Sequence, residues 1–208
     1  MTTSITTALD NSISYEGYLA LLQDLVNQGQ TTGPNQSPAM VNYTKLNAAR
    51  MRRVDKKVDI STLDTSAIKA INQPLTWLVI TESWCGDAAH IVPVVNKLAS
   101  LNPLITTKHI MRDEHPEVMD QFLTNEARSI PIIAFIDEER GEIVGHWGPR
   151  PAELQQKVMD RKKMTDPGPY DLFQVEVQKW YNQDKGQSTI QEFLAAFTEA
   201  TMIKVINP

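Results

Sequence analysis

The sequence predicts an α/β protein in which helices flank a central mixed β-sheet, with extra helices at both ends of the chain. Between residues 58 and 165, β-rich apolar runs alternate with segments whose apolar residues recur at helical spacing. Two further strand-like runs are joined by a short turn, as in a hairpin. Residues 1–57 and 166–208 show only helical periodicity, which predicts an N-terminal and a C-terminal helical extension packed on one domain of residues 58–165.

Composition narrows the class of protein. The chain has 208 residues, 41% of them hydrophobic and 22% charged, which is typical of a globular domain. Its net charge of −5 does not suit a dedicated nucleic-acid binder, and no apolar run is long enough to cross a membrane. The N-terminus lacks the basic and apolar regions of a secretory signal. With a single cysteine, no disulfide can form within the chain, so we expect a cytoplasmic location.

The N-terminal region is expected to hold two helices. Residues 1–13 are rich in Thr and Ser and are predicted to be frayed. Ser14 can cap a helix that stops at Gly29 and buries one face. After an exposed loop, a second helix is predicted over residues 42–57. Its cations are interpreted as a solvated helix face rather than an anion site: Arg50, Arg52, Arg53, Lys56 and Lys57.

The central region supplies most of the predicted sheet. A short strand is expected at residues 58–60, then a helix that opens at Ser61 or Asp64 and ends before Pro74. Residues 75–82 form an apolar run on both faces, which predicts a strand covered on both sides. A helix over residues 86–100 contains Pro93 and is expected to be kinked there.

The remaining elements follow from the same patterns. Residues 105–111 are a second strand, and Pro116 opens a helix through residue 123. Residues 132–137 and 142–147 form the hairpin, and Pro151 opens another helix. After a turn at residues 166–169, two helices are expected over residues 171–184 and 189–201, the last with an apolar stripe of core residues.

One segment carries the candidate chemistry, the turn from Glu82 to Ala88 between the central strand and the next helix. Ligands of open α/β sheets bind beyond such strand ends. The positive end of the helix can stabilise the thiolate of Cys85 and lower its pKa. The alternative is that Cys85 is a small buried hydrophobic residue, which is the usual role of a lone cysteine.

The residues around this turn resemble the thioredoxin family. Trp84, Cys85 and Gly86 are similar to the start of its active-site motif, and Pro93 lies where thioredoxins kink the helix that follows. The segment Ile130-Pro131 resembles the one whose cis-proline faces the active-site cysteine. The resemblance covers about residues 58–165 and is nearest to a bacterial branch with added terminal helices. It implies a thioredoxin-like fold, with Cys85 as nucleophile and a peptide groove at Ile130 and Pro131.

Three departures separate the sequence from a dithiol enzyme. Ala88 occupies the place of the second cysteine, so Cys85 could attack a disulfide but could not complete the exchange alone. Asp87 stands where thioredoxins have proline, and its carboxylate opposes the thiolate and raises the thiol pKa. Val79 stands where many thioredoxins carry a buried acid. Trp84 is expected to line the groove beside the thiol. Two interpretations stay open for Trp147: it lines the same groove, or it packs against other side chains.

Two hypotheses therefore stay open. In the first, Cys85 is a monothiol redox site that forms mixed disulfides and is released by an external thiol, which predicts a lowered thiol pKa. In the second, the groove is a non-catalytic binding site for a peptide or partner. Either hypothesis implies a protein or a low-molecular-weight thiol or disulfide as partner, with no nucleic acid, no membrane and no cofactor. The histidines are scattered, so no metal site is expected, and His109 is interpreted as a core or surface residue: His90, His109, His115 and His146.

Overall fold

The computed structural model describes residues 2–61 and 63–206. Within these residues it contains nine helices and four strands. In chain order they are α1 (Thr3–Asp10), α2 (Tyr15–Gln28), α3 (Pro38–Lys57), α4 (Ser66–Lys69), β1 (Leu75–Thr81), α5 (Ala88–Ala99), β2 (Ile105–Met111), α6 (Pro116–Met119), β3 (Ile132–Asp137), β4 (Glu142–Trp147), α7 (Ala152–Lys163), α8 (Tyr170–Asp184) and α9 (Gln187–Ile206).

The four strands form one mixed sheet in the order β2-β1-β3-β4. β1 pairs in parallel with β2, with Val79 opposite His109, and antiparallel with β3, with Leu78 opposite Ala134. β3 and β4 form the predicted antiparallel hairpin. Every residue of β1 is buried, as predicted for a strand covered on both faces. The α/β fold class with a mixed sheet and flanking helices is therefore confirmed.

Helices cover both faces of this sheet. α3 packs against α5, and α9 packs against β4 and also contacts α5. The apolar stripe of α9 enters the core, where the rings of Phe193 and Phe197 meet Trp77 edge-on at 4.8 and 5.1 Å between ring centroids. This confirms the prediction that the stripe consists of core contacts. Pro93 lies inside α5, in the predicted place.

Capping residues and a proline set the ends of the N-terminal helices α2 and α3. The Ser14 hydroxyl accepts a hydrogen bond from the amide of Gly17, and Gly29 ends α2 in the left-handed region at φ 64°. α3 begins at Pro38, four residues before the predicted start, because proline fits the first turn of a helix. The expectation of a frayed N-terminus is wrong. Thr3–Asp10 is helical because Ile5 and Ala8, three residues apart, share one buried face.

Three other predicted elements need correction. Residues 58–60 are not a strand, because Val58 ends α3 and the Asp59 carboxylate accepts the amide hydrogen of Ser61 in a local turn. The helix expected after them is only the single turn α4. Thr62 lies outside the described residues, as do Met1, Asn207 and Pro208. The helix expected through residue 123 ends at Met119.

Candidate functional site

Cys85 lies in the turn between β1 and α5, at the carboxyl end of the central strand. Its amide donates a 3.1 Å hydrogen bond to the carbonyl oxygen of Glu82, which closes the turn. The next amides form the first turn of α5, where Asp87 precedes Ala88 as the N-cap residue. The side chain of Cys85 is 7% exposed. The turn therefore aims the thiol inward, toward the edge where β1 ends.

The thiol contacts the segment before β3. The Cys85 Sγ donates to the carbonyl oxygen of Ile130 at 3.4 Å and accepts the amide hydrogen of Ala88 at 3.4 Å. The Ile130–Pro131 peptide bond is cis, and both residues are buried. The fold thus brings the Trp84–Ala88 turn and the Ile130–Pro131 segment together, although 45 residues separate Cys85 from Ile130.

The electrostatic environment keeps the thiol protonated. Burial, with a smaller contribution from the negative charge of Asp87, raises the pKa of Cys85 to about 12, although the amide of Ala88 and the cation of Arg150 act in the opposite direction. The lowered pKa expected for a redox thiol is therefore wrong in direction. The helix end does favour a thiolate, but desolvation outweighs that effect.

Asp87 does not cap α5 with its side chain. Its Oδ2 accepts two hydrogen bonds from the Arg150 guanidinium, from Nε at 3.0 Å and from Nη2 at 2.7 Å. Its Oδ1 accepts a 2.8 Å hydrogen bond from the hydroxyl of Tyr181. Both side chains of the ion pair are largely shielded, with 13% of Arg150 and 14% of Asp87 exposed. The carboxylate therefore joins three parts of the chain.

The helix α8 covers the turn from outside. A Cβ built on Gly86 would lie 3.2 Å from Nε2 of Gln178, so a larger residue here would have to displace the end of this side chain slightly. The Oε1 of Gln178 lies 2.8 Å from His90 Nε2, and the His90 ring stacks on Tyr181 at 4.4 Å between centroids. Burial lowers the pKa of His90 to about 4. His90 is thus a neutral side chain that docks α8 onto α5.

A buried polar network anchors the other side of the turn. The Glu82 carboxylate accepts the Asp113 amide hydrogen at 2.8 Å and the Thr32 hydroxyl. The Ser83 hydroxyl lies within 3.0 Å of the hydroxyls of Thr31, Thr32 and Thr44. Burial raises the pKa of Glu82. The network ties the loop after α2 to the candidate site.

The remaining candidate residues take different places. Trp84 is half-buried, and the Arg112 guanidinium lies 4.8 Å from the centre of its ring. Trp147 packs against Phe193 at 5.9 Å and is 8% exposed, which settles its two interpretations in favour of packing. His109 is a core residue stacked on Tyr18 at 5.5 Å. The side chains of Val79 and Ala88 are buried and carry no polar group.

An open groove of about 1050 Å³ runs beside Cys85. Its walls come from α3, the Trp84–Asp87 turn, the segment before β3, α7 and α8. Among residues 2–61 and 63–206, no three metal-ligating side chains come close enough together to hold a metal ion. No helix in the described part of the chain has the length and apolarity to cross a membrane.

The sequence reasoning missed the residues that enclose the turn. Arg150 and Tyr181 are 63 and 94 residues from Asp87 along the chain, and no local pattern links them to it. Gln178 carries no motif either. The only sequence signal for these residues is helical spacing. Val177 and Tyr181 are four residues apart, which predicts that they share a buried face of α8 but does not predict what that face covers.

Comparison with known protein families identifies the family of this chain. The family model for Thioredoxin matches residues 33–164, which is more than half of the chain, so this protein belongs to the thioredoxin family. No curated protein matches the sequence.

One solved structure supports the likeness at the level of the fold, and a second is reported beside it. An HIV epitope scaffold is 20% identical, with a TM-score of 0.51, and the alignment covers 88% of this chain and 97% of the scaffold. A Pseudomonas aeruginosa protein of unknown function is 19% identical, with a TM-score of 0.47, over 88% of this chain and 99% of that one.

Proposed function

We propose that this protein is a binding member of the thioredoxin family, whose groove beside Cys85 holds a peptide segment of a partner. One observation carries the proposal. Of the eight large hydrophobic side chains that are exposed in the described residues, four line this one groove: Leu46, Met164, Tyr170 and Val175. Apolar side chains gathered at one surface indicate an interaction site, whereas scattered ones do not.

The state of the thiol favours binding over catalysis. A nucleophilic cysteine reacts as its thiolate, and the raised pKa of Cys85 leaves a negligible thiolate fraction at neutral pH. Ala88, at the place of a resolving cysteine, has no sulfur to release a mixed disulfide. In this proposal Cys85 packs the turn through its hydrogen bond to the Ile130 carbonyl. The cytoplasmic location remains a prediction from the sequence.

A second candidate function is mixed-disulfide formation, because Cys85 itself lines the groove and the Ala88 amide donates to its sulfur. Here the Cys85 thiolate would attack a disulfide, forming one new S–S bond and releasing the other sulfur as a thiolate that takes up a proton. An external thiol would then attack the mixed disulfide and restore Cys85. This route requires the thiol to become more accessible, because Cys85 is only 7% exposed.

The experiment is selection of groove-binding peptides from a random peptide library, followed by affinity measurements on variants. Leu46→Ser removes an apolar groove residue that is 42% exposed. Leu104→Ser is the matched control, because Leu104 is 38% exposed and lies outside the groove. We expect Leu46→Ser to weaken binding about tenfold and Leu104→Ser to have no effect.

Cys85→Ala separates the two candidate functions. If the selected peptides bind this variant with unchanged affinity, the thiol is not needed and the binding function is supported. If retention depends on Cys85 and is abolished by an added reductant, the mixed-disulfide function replaces it. A selection that returns no peptide sensitive to Leu46→Ser contradicts the proposed groove.

A further inference from the structure

The groove is strongly cationic although the whole chain is acidic. Seven Arg or Lys side chains line it, against two carboxylates, Asp87 and Asp171, while the chain as a whole carries a net charge of −5. Three of the seven cations have a carboxylate partner: Arg112 with Asp113, Arg128 with Asp120 and Arg150 with Asp87. The excess positive charge therefore lies on the other four.

These four cations, Arg50, Arg161, Lys162 and Lys179, have no carboxylate within ion-pair distance among the described residues. They come from three different helices, since Arg50 is in α3, Lys179 is in α8 and the other two are in α7. Cations on one solvated face of a single helix would point into solvent and would not meet cations from other helices. Here three helices contribute cations to the lining of one groove.

Arg50 and Arg161 are both positioned by neutral groups of the protein. Arg50 is half-buried, its Nη1 donates a 2.8 Å hydrogen bond to Asn47 Oδ1, and burial and the neighbouring Arg53 lower its pKa. Arg161 lies 4.9 Å from the ring centre of Phe173 and donates a 2.8 Å hydrogen bond to the carbonyl oxygen of Gly168. Both guanidiniums are ordered by neutral partners, so their charges are not neutralised within the protein.

We propose that the groove selects a partner segment in which carboxylate side chains alternate with apolar ones, that is, an acidic amphipathic peptide. This inference rests on the proposed binding function and names its ligand class. The carboxylates would pair with the four cations named above, and the apolar side chains would cover Leu46, Met164 and Val175. A peptide suits the groove better than a nucleic acid, because the acidic remainder of the protein repels a long phosphate backbone.

The test is fluorescence anisotropy with three labelled peptides of about twelve residues. One alternates Glu with Leu or Val, the second has Gln in place of each Glu, and the third has Lys. We expect the Glu peptide to bind about tenfold more tightly than the Gln peptide in about 20 mM KCl. The advantage should shrink in about 200 mM KCl, because salt screens exposed charges.

Matched double variants locate the charge effect. Arg50→Gln with Lys179→Gln removes two groove cations and should weaken the Glu peptide about fivefold, with little effect on the Gln peptide. Lys69→Gln with Arg140→Gln removes the same charge at the opposite end of the sheet, since Lys69 precedes β1 and Arg140 lies in the turn from β3 to β4. This control pair should leave both affinities unchanged.

Each other outcome overturns the inference. If the Glu and Gln peptides bind equally, or if both double variants weaken the Glu peptide alike, the groove cations do not select acidic ligands, although the proposed binding function can still stand. If a labelled single-stranded oligonucleotide binds more tightly than the Glu peptide in the same buffer, the ligand class is wrong. If no peptide binds at all, the ligand class is also wrong, and the library selection then decides the proposed binding function separately.

Discussion

Tyr181 donates a hydrogen bond from its hydroxyl to Oδ1 of Asp87, over 2.8 Å, and so fastens α8 to the turn that contains Cys85. The same carboxylate holds Arg150 through its other oxygen. Because Asp87 binds both partners and its charge acts on the thiol, three properties are coupled: the position of α8, the charge beside the thiol and the access to the groove. The first two predictions separate these properties.

Loss of the Tyr181 hydroxyl should expose Cys85. Tyr181→Phe keeps the ring that stacks on His90 but removes a hydrogen bond to a charged carboxylate, which contributes about 1.5 to 3 kcal/mol. Weaker docking of α8 should raise the rate of Cys85 alkylation by iodoacetamide at pH 8 about tenfold. Tyr43→Phe, at another groove tyrosine, is the control. Equal rates in wild type and Tyr181→Phe would show that α8 does not limit access to the thiol.

Removal of the Asp87 charge should lower the pKa of Cys85. Asp87→Asn eliminates the negative charge that opposes the thiolate and leaves the Arg150 cation unpaired nearby, so both changes favour ionisation. The pH midpoint of the alkylation rate should shift downward. The ion pair is also lost, which should cost about 1 to 3 kcal/mol of unfolding free energy.

Asp171→Asn provides the matched control for that shift, because it removes one negative charge from the same groove. Asp171 is not among the groups that raise the pKa of Cys85. The pH midpoint of the alkylation rate of this variant should equal that of the wild-type protein. A midpoint that moves equally in both variants would mean that general groove charge, and not contact with Asp87, sets the thiol pKa.

Stability should fall in mild acid because of two buried histidines. Burial lowers the pKa of both His90 and His109 to about 4, from 6.5 in the unfolded chain. Between these values the unfolded state binds more protons, so their contribution is complete above about pH 6.5 and is lost as the pH falls toward 4. At pH 5 each histidine should cost about 2 kcal/mol.

His109→Phe isolates one of these contributions. The phenyl ring can keep the stacking on Tyr18 but cannot be protonated. Urea unfolding at pH 7.5 and pH 5 should give a stability loss on acidification that is about 2 kcal/mol smaller in this variant than in wild type. The comparison cancels groups that titrate in both proteins, including the buried Glu82. An equal loss in the two proteins would refute a neutral buried His109.

The packing of α9 on β4 should depend on the absence of a side chain at residue 145. A Cβ on Gly145 would lie 2.7 Å from the Cβ of Ala200, so Gly145→Ala should destabilise the protein by about 1 to 3 kcal/mol. Ala200→Gly removes the clashing atom at a cost of about 1 kcal/mol in helix propensity.

The double variant that combines Gly145→Ala with Ala200→Gly therefore tests the C-terminal extension directly. Its unfolding free energy should lie close to that of Ala200→Gly alone, because the clash is gone. Thermal or urea unfolding measures all four proteins of the cycle. Additive losses would mean that Gly145 and Ala200 are not in contact, which would count against our proposal that residues 166–208 pack on the thioredoxin-like domain.

The predictions from local patterns succeeded where the signal was local. The buried strand β1, the hairpin of β3 and β4 and the core stripe of α9 each follow from spacing within a few residues of the chain. The predictions failed where the segment of sequence was short. Thr3–Asp10 is only two turns long, and residues 58–60 look like a strand but pair with no strand in the described part of the chain.

The sequence by itself determined the mixed α/β architecture and the place of Cys85 at a strand-to-helix junction, because hydrophobic periodicity and turn residues act over short distances. Only the tertiary structure decided what that junction can do. The thiol pKa depends on burial in the folded chain and on the charge of Asp87, whose partners Arg150 and Tyr181 are distant in the chain. Desolvation and electrostatics depend on distance in space, which the order of residues does not reveal.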